Sequence, residues 1–157
     1  MKLIGKTTIN PIIFYSGKIS GYITWITLLG YLLNAIPRSG VQNIYLQWFS
    51  ILIAAIGLII VAISLINLGK STRLGLPTEN TTLKTNGIYR FSRNPMYFGF
   101  NLLTIASMIY CINIVLLILG IYSMITYHLI IIGEEKFLEE RFGEEYFNYK
   151  ENVRRYI

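Results

Sequence analysis

Long apolar segments without formal charge alternate with shorter polar stretches along this chain. Residues 19–36, 44–68 and 94–133 contain no Lys, Arg, Asp or Glu. A helix needs about 20 predominantly apolar residues to cross a hydrocarbon core of about 30 Å. The first two segments are therefore predicted to cross a membrane once each.

The third segment is long enough to cross a membrane twice. As one helix its 40 residues would extend about 60 Å, which is about twice the thickness of a hydrocarbon core. We expect a turn near residues 111–113, because Asn113 is the residue there that favours turns. This gives spans at residues 96–110 and 114–133, and so a polytopic all-α membrane helix bundle of about four spans in one domain, residues 1–157.

Most of the basic residues lie before the first span, between the second and the third, and after the fourth. In a bundle of four spans these segments are all on the same side of the membrane. Lys2, Lys6 and Lys18 precede the first span, and only Arg38 lies between the first and the second. Five basic residues lie in the 69–93 loop, and five more follow the fourth span. Since basic residues are enriched on the cytoplasmic side of a membrane, both termini and this loop are expected to be cytoplasmic.

The overall composition agrees with a membrane protein. The chain is 54% hydrophobic and only 14% charged, whereas soluble domains carry about 25% charged residues. Its formal net charge of +6 comes from residues that flank the apolar segments and form no basic tract. We therefore expect contact with lipid head groups and none with nucleic acid.

Acidic residues are confined almost entirely to the C-terminal part of the chain. There is no Asp, and seven of the eight Glu lie at or after Glu134. The adjacent Glu134 and Glu135 end the fourth span, where the helix dipole disfavours negative charge. Either ion pairs with the neighbouring arginines or a cationic ligand must compensate for them. Beyond them, amphipathic helices separated by Gly143 are predicted to cap a pocket on the cytoplasmic side.

A helix-start signal precedes the third span. Asn94 suits the N-cap position and Pro95 the first helical position. In a purely structural interpretation, this is a loop that enters a span. In a functional one, the free N–H groups at the helix start bind a carboxylate, and Gly99 lets a ligand or a neighbouring helix approach closely. His128, inside the fourth span, is expected to form an interhelical hydrogen bond, and the sequence contains no metal-ligand cluster.

These motifs, in this order, resemble the isoprenylcysteine carboxyl methyltransferase and phospholipid methyltransferase superfamily of integral membrane enzymes. The resemblance covers residues 83–156. It rests on Gly-Ile-Tyr-Arg at 87–90, Ser-Arg-Asn-Pro-Met-Tyr-Phe-Gly at 92–99, Glu-Glu-x-x-Leu at 134–138, Phe-Gly-x-x-Tyr-x-x-Tyr at 142–149 and Val-Arg-Arg at 153–155. The family commonly has His where this chain has Asn94, and Asn forms hydrogen bonds but does not shuttle a proton.

The resemblance implies that the chain transfers a methyl group from S-adenosylmethionine to a lipid-like acceptor, leaving S-adenosylhomocysteine. It implies cofactor contacts for Arg93, Asn94, Pro95, Tyr97, Gly99, Glu134 and Glu135, and catalytic roles for Arg155, Arg154 and Glu135. The arginines would orient an anionic acceptor, and Glu135 would act as the base for an amine.

Several functions remain open on the sequence. A carboxylate acceptor, such as that of a prenylated cysteine, is favoured by the arginine-rich C-terminus. The alternatives are phospholipid N-methylation, a nicotinamide-dependent membrane reductase with a similar motif, and a membrane scaffold without enzymatic activity. Nothing in the sequence indicates the oligomeric state.

Overall fold

The computed structural model describes residues 7–37, 43–69 and 82–156. In this part of the chain all regular structure is helical. The elements are α1 (Pro11–Leu32), α2 (Ile44–Leu68), a short 3-10 helix (Gly87–Arg90), α3 (Pro95–Cys111), α4 (Ile114–Phe142) and α5 (Glu144–Asn152). Arg38, Lys70 and Arg73, which contribute to the predicted orientation in the membrane, lie outside the described residues.

An asparagine precedes each of the first four α-helices. The side chains of Asn10, Asn43 and Asn113 accept hydrogen bonds from backbone N–H groups of the first turn, which otherwise have no intrahelical partner. Such a cap stabilises a helix by about 1 kcal/mol. Asn94 occupies the same position before α3, but its side chain does not cap that helix.

Two of the predicted boundaries coincide with the helices. Helix α2 covers the same residues as the predicted span 44–68. The predicted turn at residues 111–113 is also present, because α3 ends at Cys111 and α4 starts after Asn113. Between them Ile112 has a left-handed backbone with φ 40°, and this residue reverses the chain.

Helix α1 begins at Pro11, eight residues before the predicted span 19–36, and ends at Leu32. The predicted span therefore leaves out the first two turns of the helix. It treated Lys18 as a boundary, but the Lys18 side chain packs along the helix, with its ammonium 4.1 Å from the centre of the Phe14 ring. An asparagine–proline start signal, like the one before α3, sets the true beginning of the helix.

The helices alternate in direction and bring residues 7–10, 82–94 and 143–156 to one end. Thr8, before α1, contacts Gly133 near the end of α4, and Asn67, near the end of α2, contacts Gly87 before α3. We call this end the charged end, because α4 continues there into the acidic and basic residues 134–156. The opposite end is apolar and contains a cluster of Leu28, Tyr31, Ala106, Tyr110, Cys111 and Leu116.

Small residues allow close contact between neighbouring helices. A Cβ atom added to Gly57 of α2 would lie 2.9 Å from the carbonyl oxygen of Gly99 in α3, and one added to Gly99 would lie 2.8 Å from the carbonyl oxygen of Gly57. Gly17 and Gly21 of α1 similarly contact Thr126 and Ser123 of α4. Small residues at such crossings are typical of membrane helix packing.

The outer surface of the bundle is apolar and suits a lipid environment. Helix α2 exposes large side chains along its whole length, including Trp48, Leu58 and Ile66. Within the described residues α1, α2 and α4 are long and apolar enough to span a membrane, whereas α3 has 17 residues. The predicted all-α membrane bundle is confirmed, and the count of four spans stays a prediction.

We expect Gly57→Ala to destabilise the bundle by about 1–3 kcal/mol, because the added methyl group meets a backbone carbonyl that cannot move aside. Thermal unfolding of the detergent-solubilised protein measures this. The matched control is Ala55→Val on the exposed face of the same helix, which should change stability by less than about 0.5 kcal/mol. Equal melting temperatures for Gly57→Ala and the wild type would contradict the contact.

Candidate functional site

A single buried carboxylate joins three segments at the charged end. The Oε1 atom of Glu135 accepts hydrogen bonds from Nε and Nη2 of Arg93, at 3.2 and 3.1 Å. Its Oε2 atom accepts two from Arg155, at 3.0 Å from Nε and 2.8 Å from Nη2. The side chains of Glu135 and Arg93 are 4% and 7% exposed, so this pair is shielded from water. The hydrogen bond to Glu135 raises the pKa of Arg155.

Arg93 also fixes the C-terminal segment through its remaining donors. Its Nη1 atom donates to the carbonyl oxygens of Lys150, at 3.0 Å, and Val153, at 2.7 Å. These carbonyls lie at the end of α5, where backbone acceptors have no helical partner. The backbone N–H of Arg93 donates to the carbonyl of Arg154 at 2.9 Å. One guanidinium therefore connects the loop before α3, the end of α4 and the segment after α5.

Asn94 contributes to the same network instead of capping its helix. Its Nδ2 atom donates to Oε1 of Glu135 at 3.0 Å. Nδ2 also lies 3.4 Å from the carbonyl oxygen of Arg155, to which it donates. The N-terminus of α3 thus lacks the side-chain acceptor that α1, α2 and α4 have, and no side-chain oxygen offsets the positive end of its dipole.

The two adjacent glutamates face different surroundings. Glu135 lies between the arginines, whereas Glu134 accepts a hydrogen bond of 2.8 Å from the hydroxyl of Tyr97 in α3. Consecutive residues of a helix point about 100° apart, so the pair cannot act as one divalent anion. The negative charge of Glu135 is therefore compensated by ion pairs with Arg93 and Arg155. This is one of the two alternatives that the sequence left open.

The residues after α5 run back along α4. Arg155 contacts Glu135, and the Tyr156 hydroxyl lies 2.8 Å from Nδ1 of His128, seven residues earlier on α4 than Glu135. The rings of Tyr156 and His128 are stacked, with 6.1 Å between their centres. The partner of His128 is therefore the C-terminal segment and not another span. The Arg154 side chain is exposed.

A cavity of about 140 Å³ lies beside this network. Arg93 and Asn94 contribute its polar wall together with Lys84 and Thr82. The remaining walls are apolar or aromatic and come from Leu68, Leu83, Tyr89, Leu138, Phe142, Tyr146 and Tyr149. Apolar walls with a few convergent polar groups are typical of small-molecule sites.

Tyr146 carries a buried polar group that the protein leaves without a partner. The residue is 1% exposed, and no hydrogen bond to its hydroxyl is found among the described residues. Burial raises the pKa of Tyr146 and that of its neighbour Tyr149, so both hydroxyls are protonated at neutral pH. Tyr149 donates to the carbonyl of Tyr89 at 2.6 Å. An unpaired buried hydroxyl costs free energy, and Tyr146 also contributes to the cavity wall.

The structure brings only some of the predicted site residues together. Arg93, Asn94, Glu135 and Arg155 form the network just described. Pro95 is buried at the start of α3, Tyr97 pairs with Glu134, Gly99 packs against α2, and the side chain of Arg154 is exposed. The cavity residues Tyr89, Tyr146 and Tyr149 were not among the predicted site residues, although all three lie in motifs that carry the family resemblance.

Comparison with protein-family profiles matches residues 45–145 to the phospholipid methyltransferase family. The match covers most of the chain, from α2 into α5. The chain belongs to this family. No curated protein matches it.

Family membership confirms the superfamily resemblance and makes this chain a membrane methyltransferase. The match includes the Asn94–Pro95 helix start and the Glu134–Glu135 pair, whereas Arg154 and Arg155 lie beyond its end. The family match therefore supports no role for these two arginines, and only the geometry assigns Arg155 to the network.

Arg93→Met should destabilise the protein by about 3–5 kcal/mol, because it leaves the buried carboxylate of Glu135 with one guanidinium instead of two. Thermal unfolding in detergent measures the change. Arg90→Met removes an exposed arginine three residues away and should alter stability by less than about 0.5 kcal/mol. If both variants unfold at the wild-type temperature, the network does not hold this end together.

Proposed function

We propose that this protein transfers a methyl group from S-adenosylmethionine to a lipid acceptor at the charged end of the bundle. The observation that carries this proposal is the cavity between the start of α3, the end of α4 and α5. In a chain of a methyltransferase family, it combines an uncapped helix start with the unpartnered Tyr146 hydroxyl.

The chemistry of the cavity walls fits this cofactor. An adenine ring favours aromatic and apolar neighbours, which Tyr89, Phe142 and Tyr149 supply. The cofactor also carries a carboxylate, for which the start of α3 is a suitable partner, and Tyr146 would donate to one of its acceptor atoms. The described walls enclose about 140 Å³, less than the roughly 300 Å³ of a small ligand site, so they would surround part of the cofactor.

Glu134 is the carboxylate that remains available to a cationic group. Both oxygens of Glu135 are occupied by arginines and Asn94, and we therefore assign Glu135 a positioning role through Arg93. Glu134 has one described hydrogen bond, from Tyr97. Its charge also interacts with Tyr89, a residue of the cavity wall.

When bound, the cofactor would supply an electrophilic methyl group. The role of the protein is then to align the acceptor with that group and to exclude water. The network around Glu135 fixes Arg93 and Asn94, and the apolar walls from α4 and α5 keep water out. Methyl transfer needs no further charge on the protein if the acceptor is already nucleophilic.

For the acceptor we favour the amine of a phospholipid over a carboxylate. Arg155, the residue expected to orient a carboxylate, already makes two hydrogen bonds to Glu135. An amine needs a base that takes up its proton, and Glu134 is a carboxylate without an arginine partner in the described structure. The description of the matching family agrees with this choice.

The test is transfer of a labelled methyl group from S-adenosylmethionine to a panel of acceptors by the purified protein. We expect labelling of phosphatidylethanolamine, and much less of farnesylcysteine. S-adenosylhomocysteine should raise the melting temperature of the wild type. Tyr146→Phe, which removes only the unpartnered hydroxyl, should reduce that shift and weaken affinity about tenfold.

A shift in melting temperature with NADPH and none with S-adenosylhomocysteine would identify a reductase and contradict the proposal. Stronger labelling of farnesylcysteine than of phosphatidylethanolamine would keep the methyltransferase but replace its acceptor with a carboxylate. Labelling of no acceptor and binding of neither cofactor would favour a membrane scaffold.

A further inference from the structure

Lys18 is a charged side chain within an apolar helix of the bundle. It lies seven residues after the start of α1 at Pro11, and it is half-buried. No carboxylate of the described residues forms a salt bridge with it; the nearest described compensation is the ring of Phe14, 4.1 Å from its ammonium. A charged residue in a membrane span is costly, and it usually marks a functional site.

The position of Lys18 relates it to the proposed reaction centre. Helices α1 and α4 run antiparallel, because Thr8 contacts Gly133 and Gly17 contacts Thr126. Side chains of a helix lean towards its N-terminus, which for α1 is the charged end, so the long Lys18 side chain extends from the apolar part of the bundle towards Glu134. The two charges interact electrostatically.

The surroundings of Lys18 are open to lipid on one side. Its neighbours Tyr15, Ile19 and Tyr22 on α1 are 46%, 55% and 43% exposed. A lysine in such a place extends along apolar surface to bring its ammonium to the head-group level. Lipid phosphates lie at this level, where the Lys18 ammonium is suited to bind one of them.

We propose that Lys18 binds the phosphate of the acceptor phospholipid while Glu134 faces its amine. The proposal rests on the function inferred above and adds the residue that recognises the head group. An ethanolamine phospholipid carries a negative phosphate and an amine two carbons further on. Lys18 and Glu134 are a cation and an anion on neighbouring helices. Their charges are complementary to those of the phosphate and the amine, respectively. Lys18 is a binding residue in this scheme and takes no part in the methyl transfer itself.

The first test measures acceptor kinetics in mixed micelles. Lys18→Met keeps most of the side-chain length and removes the charge. It should raise KM for phosphatidylethanolamine about tenfold, as expected for the loss of a charge-assisted bond, with kcat and the affinity for S-adenosylhomocysteine unchanged. Lys18→Arg should restore KM. The control Lys136→Met removes an exposed lysine of α4 and should leave KM as in the wild type.

A second measurement is independent of activity. Native mass spectrometry of the purified protein should detect more bound dioleoylphosphatidylethanolamine than dioleoylglycerol, which lacks the phosphate, and Lys18→Met should abolish the difference. An unchanged KM or unchanged lipid selectivity in Lys18→Met would overturn the proposal, as would a matching loss of S-adenosylhomocysteine binding. If the wild type methylates nothing, the proposed function fails, whereas the lipid comparison still tests Lys18.

Discussion

The charged end of this bundle depends on one carboxylate held between two guanidiniums. Burying Glu135 and Arg93 costs several kcal/mol per ion, and the cost is offset only when the geometry satisfies their hydrogen-bonding groups. Here Glu135 accepts bonds from Arg93, Asn94 and Arg155, and Arg93 uses its remaining donors on the end of α5. The start of α3, the end of α4 and the C-terminal segment are therefore fixed relative to one another. Part of the cavity wall comes from the start of α3, the end of α4 and α5.

The network leaves α3 without a side-chain cap, which is a local cost in stability. Asn10, Asn43 and Asn113 cap their helices, whereas Asn94 directs its amide to Glu135 and leaves α3 uncapped. A broken local rule in an otherwise consistent structure is typical of a functional site. Asn94, at the uncapped helix start, and Tyr146, whose hydroxyl has no partner among the described residues, both contribute to the wall of the cavity. For this reason we propose the cavity as the methyltransferase site of a chain of this family.

Most of the long helices could be predicted because their apolar segments are bounded by asparagines and charges. Helix α2 and the turn after Cys111 follow directly from that pattern. The start of α1 could not be predicted in this way, because Lys18 lies inside the helix, with its ammonium over the ring of Phe14. Motif resemblance selected Arg93, Asn94 and Glu135. It did not separate the roles of Glu134 and Glu135, which follow from their directions on the helix. The role of Tyr146 emerges only when burial and hydrogen bonds are known.

The most direct test of the Glu135 network is hydrogen–deuterium exchange of backbone amides in Glu135→Gln. This variant keeps the shape of the side chain and removes the charge that holds both arginines. The account predicts faster exchange in residues 144–156, with exchange in α2 unchanged, and no such change in the control Glu140→Gln, an exposed glutamate of α4. Residues 144–156 exchanging as slowly in Glu135→Gln as in the wild type would contradict it.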